Sequence, residues 1–151
     1  MIEFKFNDGG RAAAGYKGST RDCACRSIAI VTGLPYQKVY DEITARTKSW
    51  RINSNSKKAY YAKPGKDSAR TGALKIITRA YLKDLGWTWT PTMFIGSGCK
   101  VHLRKDELPA GRLLVSVSKH LTAVIDGVIH DIADCSRQGT RCVYGYFKKN
   151  D

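Results

Sequence analysis

Acidic residues are scarce in this sequence: 13 aspartates and glutamates face 26 lysines and arginines, and the formal net charge is +13. Long apolar runs are missing too, since none approaches the roughly 20 residues that cross a bilayer. The start of the chain also lacks the apolar core of a signal peptide. We therefore expect a soluble, cytoplasmic protein without membrane contact. Its positive charge should attract polyanions, of which nucleic acid is the commonest in a cell.

Cysteine and histidine are few, five and three residues respectively. An odd number of cysteines without a signal peptide argues against a disulfide framework. The cysteines would then be buried apolar thiols, metal ligands or a reactive nucleophile. A zinc site would have to combine three spaced pairs: Cys23 with Cys25, Cys99 with His102, and Cys135 with Cys142. No pair has the Cys-x-x-Cys spacing of a zinc knuckle, so we predict no bound metal and no other cofactor.

The length of 151 residues fits one domain, and helix signals fill its first two thirds. Three helices are predicted from their caps, stops and apolar spacing. The first helix is predicted to start after Thr20 or Asp22 and to end at Gly33. The second starts after Pro35, and the third starts at Thr71 and ends at Gly86. Residues 7–21 are rich in glycine and predict an extended loop.

Strand signals dominate the last third of the chain. The predicted strands are residues 2–6, 87–90, 113–117, 121–125, 128–132 and 141–148. Asp126-Gly127, between the fourth and fifth of these, is the strongest short signal for a hairpin turn. Helices followed by an antiparallel sheet indicate the α+β class.

Cys23 has the position that a reactive thiol requires. It begins the first predicted helix, whose unpaired N–H groups and dipole stabilise a thiolate. A thiol nucleophile also needs a base within hydrogen-bond reach and a third group that orients this base. Cys25, two residues further on, is predicted to be a structural neighbour, and Cys23 itself would be a core thiol if no such base were near.

The hairpin register selects the base and its partner. A two-residue turn at Asp126-Gly127 places Thr122 opposite Asp131, and paired residues share a face of the sheet. His120 and Asp131 then lie diagonally on one face, whereas His130 points to the other. We therefore predict that His120 acts as the base of Cys23 and that Asp131 orients it.

This layout resembles the papain-like cysteine peptidases. Residues 23–29, Cys-Ala-Cys-Arg-Ser-Ile-Ala, are similar to the nucleophile helix of ovarian-tumour-type deubiquitinases. Asp22-Cys23 followed by an apolar helix and a glycine resembles the peptidases that trim bacteriocin leaders, and residues 120–124 resemble the histidine strand of these families. The resemblance implies helices packed on a C-terminal antiparallel sheet and a protein or peptide substrate. It also implies a Cys-His-Asp triad with Cys23, not Cys25, as nucleophile.

One position departs from the bacteriocin-type pattern. Lys17 stands where those enzymes carry a glutamine that stabilises the oxyanion. The resemblance then implies an oxyanion site made of the Cys23 backbone N–H and another donor from Ser19, Thr20 or Arg21. Loss of one such donor costs about 10²–10³ in rate. Size and composition also resemble small bacteriophage-encoded proteins, which act in the host cytoplasm.

Residues 46–70 are basic and carry interleaved aromatic residues, a composition found in single-strand nucleic-acid binders. We interpret this segment as a long loop or an insertion within the single domain, residues 1–151. Its candidate contacts are Arg51, Lys57, Lys58, Lys63 and Lys66. Two hypotheses follow: a cysteine peptidase or isopeptidase, or a non-enzymatic module on the same fold that binds nucleic acid or protein. The basic segment is also compatible with a solvated surface.

Overall fold

The computed structural model describes residues 2–18, 21–53 and 75–150. In this part of the chain three helices accompany one mixed sheet of six strands that does not close. The helices are α1 Cys23–Thr32, α2 Tyr36–Asn53 and α3 Lys75–Asp84. The strands are β1 Glu3–Phe6, β2 Trp87–Pro91, β3 Arg112–Val117, β4 His120–Ile125, β5 Val128–Asp131 and β6 Gly145–Lys149. The predicted α+β class is confirmed at this level.

The sheet has the strand order β1-β5-β4-β3-β6-β2. The prediction of a purely antiparallel, C-terminal sheet is wrong, because β1 pairs in parallel with β5. At the other edge β2 pairs antiparallel with β6. A strand edge presents unpaired N–H and C=O groups, and here distant segments satisfy them.

The β4–β5 hairpin has the predicted turn and register. Asp126 and Gly127 have φ of 48° and 78°, both positive as a type I′ turn requires. Ile125 pairs with Val128, and Ala123 pairs with His130. The last strand is shorter than predicted, because residue 142 instead forms an isolated bridge with residue 102.

The helices agree with the predicted apolar stripes but not with every predicted boundary. Gly33 ends α1 in the left-handed conformation, and the buried stripe of α2 includes Val39 and Ile43. The latter helix continues to Asn53, so residues 46–53 are helical where a loop was predicted. Residues 54–70 and the predicted start of α3 at Thr71 lie outside the described residues. No helix in the described ranges is long and apolar enough to cross a membrane.

Apolar side chains pack on both faces of the sheet. Leu114 and Ala123 belong to the core shared with the helices. Val115 and Val124, one residue further along each strand, pack on the opposite face with Leu103 from the preceding loop. This alternation has the period of two that an extended strand imposes.

Candidate active site

The three residues predicted to form a triad meet at one end of the sheet. Cys23 is the first residue of α1, His120 the first of β4, and Asp131 the last of β5. Each residue is therefore held by a regular element, and each lies where that element begins or ends. Terminal positions allow side chains from a helix and from two strands to converge.

Strand parity shows why these positions matter. His120 and Asp131 follow the parity of Val124 and Ile129, which pack on the face away from the helices. Cys23 comes from the helical side. Cys23 reaches His120 around the end of β4. If His120 lay in the middle of the strand, the sheet would separate the two side chains.

Asp131 holds His120 through a short hydrogen bond. His120 Nε2 lies 2.7 Å from Asp131 Oδ2, and the Thr122 hydroxyl donates to the same oxygen at 2.8 Å. The Ile132 N–H donates to Asp131 Oδ1 at 2.7 Å. Burial acts to raise the pKa of Asp131, but the hydrogen bonds with His120 and Thr122 outweigh it and lower the pKa below its ordinary value. Asp131 is thus an ionised, fixed acceptor.

His120 is strongly biased toward its protonated form. Burial alone would lower its pKa, but hydrogen bonds with Asp131, Cys135 and Cys23 raise the pKa to about 11. Nε2 is engaged by Asp131, so the other ring nitrogen, Nδ1, is the one left to exchange a proton with a thiol. A carboxylate on one side of an imidazole and a thiol on the other is the arrangement of a nucleophile with an oriented base.

Cys23 is placed for activation. Burial acts to raise its pKa, but the hydrogen bond with His120 and one from the Leu121 N–H outweigh it. The charges of His120 and Arg26 act in the same direction, so the pKa of Cys23 lies below its ordinary value. Together with the raised pKa of His120, this favours transfer of the thiol proton from Cys23 to His120.

A buried arginine connects the start of α1 to Asp131. Arg26 donates to Asp22 Oδ1, and its Nη2 lies 3.8 Å from Asp131 Oδ1. The Tyr36 hydroxyl donates to Asp22 Oδ2 at 2.6 Å, and Arg11 lies 3.2 Å from this oxygen. Asp22 precedes α1, but its side chain caps no helix N–H, so the capping prediction is wrong for this residue. Its carboxylate is instead used by the arginines and the tyrosine.

Sequence reasoning missed the role of Arg26 and of Cys135 in this site. The i, i+4 spacing of Asp22 and Arg26 was a usable signal for an ion pair. Cys135 carried no such signal, because its position depends on how the chain turns after β5. Its Sγ lies 4.0 Å from Asp131 Oδ2, and it forms a hydrogen bond with His120. The ligand atoms of His120, Asp131 and Cys135 lie within 4.8 Å of one another, close enough to hold a metal ion.

The remaining cysteines lie elsewhere. Cys25 is buried in the helical core, and burial raises its pKa to about 12, so it is a structural thiol. Cys99 and Cys142 form a disulfide, which contradicts the expectation of no disulfide framework. Their positions are 43 residues apart, and only the folding of the loop after β2 brings them together. The three spaced pairs that the sequence suggested as zinc ligands therefore do not come together in one site.

The other two histidines do not join the site. His130 Nδ1 lies 3.5 Å from the Asn7 amide nitrogen, on the strand face opposite to Asp131. His102 Nδ1 lies 3.1 Å from Glu107 in the loop before β3. The choice of His120 from the three histidines thus agrees with the hairpin register.

Several weaker candidates fall partly outside the described residues. Ser19 and Thr20, proposed as oxyanion donors, are among the residues not described; Arg21 and Lys17 are described and exposed. Arg51 lies in the last turn of α2. Lys57, Lys58, Lys63 and Lys66 lie outside the described ranges.

Comparisons with protein-family models, curated proteins and solved structures give no match. The geometry of the site is therefore the basis for assigning a function.

Proposed function

We propose that this protein is a papain-like cysteine hydrolase that acts on a peptide or isopeptide bond. The observation that carries the proposal is the position of His120, which lowers the pKa of Cys23 and has its Nε2 2.7 Å from Asp131 Oδ2. The three residues come from three different elements, so their convergence is a property of the tertiary structure.

Cys23 is the nucleophile of the proposed reaction. Its thiolate attacks the carbonyl carbon of the substrate, and the carbonyl oxygen becomes negatively charged. The backbone N–H of Cys23 and a donor from residues 19–21 are proposed to stabilise that oxygen. Imidazolium His120 then gives its proton to the leaving amine, and a thioester with Cys23 remains.

His120 acts again in the second half of the reaction. As the neutral base it takes a proton from water, and the resulting hydroxide attacks the thioester. The acid product leaves, and the proton on His120 restores the thiolate–imidazolium pair. Asp131 keeps the ring in one orientation through both halves, and the Thr122 hydroxyl and Ile132 N–H hold Asp131 in turn.

The environment of the thiol supports hydrolysis better than a structural role. Cys25 shows the structural alternative two residues away: it is buried in the apolar core, and its pKa is raised. The pKa of Cys23 is lowered instead, and its partner is the charged ring of His120. The alternative of a non-enzymatic binding module predicts no special reactivity at Cys23, which separates the two hypotheses.

Alkylation at neutral pH tests the proposal. Iodoacetamide should modify Cys23 much faster than an ordinary thiol, because only the thiolate reacts. Peptide mapping by mass spectrometry should place the fast label on Cys23. Cys23→Ala should lose the fast phase and all hydrolytic activity, whereas the matched variant Cys25→Ala should keep both. Slow labelling of Cys23, or a fast phase that depends on Cys25, would contradict the proposal.

A further inference from the structure

Cys135 has no part in the proposed reaction, although it contacts the same imidazole as Cys23. It packs from the face of the sheet away from the helices, whereas Cys23 comes from the helical side. The ligand atom of Cys135 lies within 4.8 Å of those of His120 and Asp131. The cluster of His120, Asp131 and Cys135 therefore brings nitrogen, oxygen and sulfur donors to one place.

We propose that His120, Asp131 and Cys135 bind one Zn²⁺ ion reversibly. Zinc accepts imidazole, carboxylate and thiolate ligands, and a tetrahedral ion with bonds of about 2.0–2.3 Å separates its ligand atoms by roughly 3.3–3.7 Å. The His120–Asp131 distance of 2.7 Å and the Cys135–Asp131 distance of 4.0 Å lie on either side of this range. Small side-chain adjustments are therefore enough to admit the ion.

The surroundings of Asp131 are compatible with such a ligand. Oδ1 is held by the Ile132 N–H at 2.7 Å and faces Arg26 at 3.8 Å, which fixes the carboxylate and leaves Oδ2 directed to the cluster. Outer contacts of this kind orient metal ligands. Thr122 already donates to Oδ2, and the positive charge of Arg26 opposes a cation. Both effects, and the need to displace the proton from the His120 ring, weaken binding, so zinc should exchange rather than stay permanently bound.

Zinc at this position has a consequence for the site. The ion takes the place of a proton on His120 and occupies its carboxylate partner, so the residue is no longer the base for Cys23. Reversible inhibition follows if the proposed function is correct; the metal binding itself does not depend on that function. Three protein ligands leave the fourth tetrahedral position for water.

Metal titration of the full chain tests the site directly. Metal-free protein is titrated with Zn²⁺ by calorimetry and with Co²⁺ by absorption spectroscopy, in which a cobalt–thiolate bond gives a charge-transfer band. We expect one ion per chain and this band. Cys135→Ala should lose the band and weaken zinc binding at least about tenfold, since even outer-shell partners of a metal are worth 10–100-fold. Cys23→Ala and the histidine control His130→Ala should keep both signals.

Two results would overturn this site. One is unchanged zinc affinity in Cys135→Ala; the other is a band that disappears in Cys23→Ala and persists in Cys135→Ala. If Cys135→Ala does not fold, the unaltered chain gives a second measurement: saturating zinc should slow the alkylation of Cys135, and an unchanged rate refutes the proposal. Slow alkylation of Cys23 in zinc-free protein would refute the hydrolase instead, so the two failures are distinguishable.

Discussion

At the scale of single residues, the protein gives two neighbouring thiols opposite environments. Cys23 and Cys25 lie in the same first turn of α1, yet the pKa of Cys23 is lowered and that of Cys25 is raised to about 12. The difference comes from their neighbours, since Cys23 faces His120 at the sheet end and Cys25 faces the apolar core. Helix position alone therefore does not activate a cysteine.

The pH dependence of Cys23 alkylation should report its pairing with His120. The pKa of Cys23 is lowered, so the thiolate and its reactivity should persist below the ordinary pKa of 9.0 and disappear only as pH falls through the lowered value. His120→Ala removes the hydrogen bond and the charge, and the inflection should move up toward or beyond 9.0. Asp131→Asn should move it less, because an amide oxygen still accepts the imidazole N–H.

Rates measured with iodoacetamide across pH check this without a substrate. The matched control is His130→Ala, which removes a histidine from the other face of the hairpin and should leave the profile unchanged. In a hydrolysis assay an alkaline limb is expected near pH 11, where His120 loses its proton and can no longer protonate the leaving group. An identical inflection in His120→Ala and the unaltered chain would disprove the pairing.

At the scale of elements, α1 is fixed to the sheet by charges as well as by apolar packing. Arg26 lies between Asp22 at the start of the helix and Asp131 at the end of β5, and all three residues are buried. The glycine-rich loop covers this region closely: a Cβ on Gly9 would lie 2.7 Å from the Arg26 carbonyl oxygen, and Gly9 has φ of 70°. The loop and the ion pairs together hold Cys23 beside β4.

Arg26→Met should destabilise the protein by about 3–5 kcal/mol, because it removes the buried cation shared by Asp22 and Asp131 and leaves them only Arg11 and His120 as partners. Urea denaturation at neutral pH measures this loss. The matched control Arg104→Met removes an arginine that is 46% exposed, pairs with Glu107 at 3.6 Å and donates to the Gly139 carbonyl at 2.7 Å. Because these contacts are partly solvated, the control should cost clearly less than Arg26→Met. Equal losses in the two variants would show that the buried network does not hold α1.

At the scale of the whole molecule, a cross-link and a large positive charge accompany the fold. The Cys99–Cys142 disulfide joins the loop after β2 to the segment before β6, with a Cα–Cα distance of 5.8 Å. Such bonds persist in oxidising surroundings and are rare in reducing ones. The formal net charge of +13 favours association with polyanions but does not select one.

Reduction of this disulfide should lower the melting temperature. A cross-link between residues 43 positions apart contributes about 4 kcal/mol in the chain-entropy model, which corresponds to a shift on the order of ten degrees for a chain of this size. Calorimetry with and without a thiol reductant measures the shift. The double variant Cys99→Ser/Cys142→Ser should melt at the reduced temperature and should not respond to reductant. If reductant still lowers the melting temperature of the double variant, the shift comes from other thiols and not from this disulfide.

The sequence by itself determined the features that depend on neighbours along the chain. The apolar stripe of α2 and the stop of α1 at Gly33 follow from helical spacing and from the freedom of glycine at positive φ. The placement of His120 and Asp131 on one face follows from the two-residue turn, since a tight turn leaves only one register. These local rules also singled out Cys23 as a candidate.

Only the tertiary structure decided what lies beside these residues. The parallel pairing of β1, the Cys99–Cys142 disulfide, the bridge from Arg26 to Asp131 and the position of Cys135 all join segments whose approach no local pattern records. Such contacts depend on how long loops close and on which strand edges remain free, and the entropic cost of closing a loop rises only slowly with its length, so it favours no single pairing. For the same reason the contact between Cys23 and His120, which crosses from a helix to the end of a strand, required the folded chain.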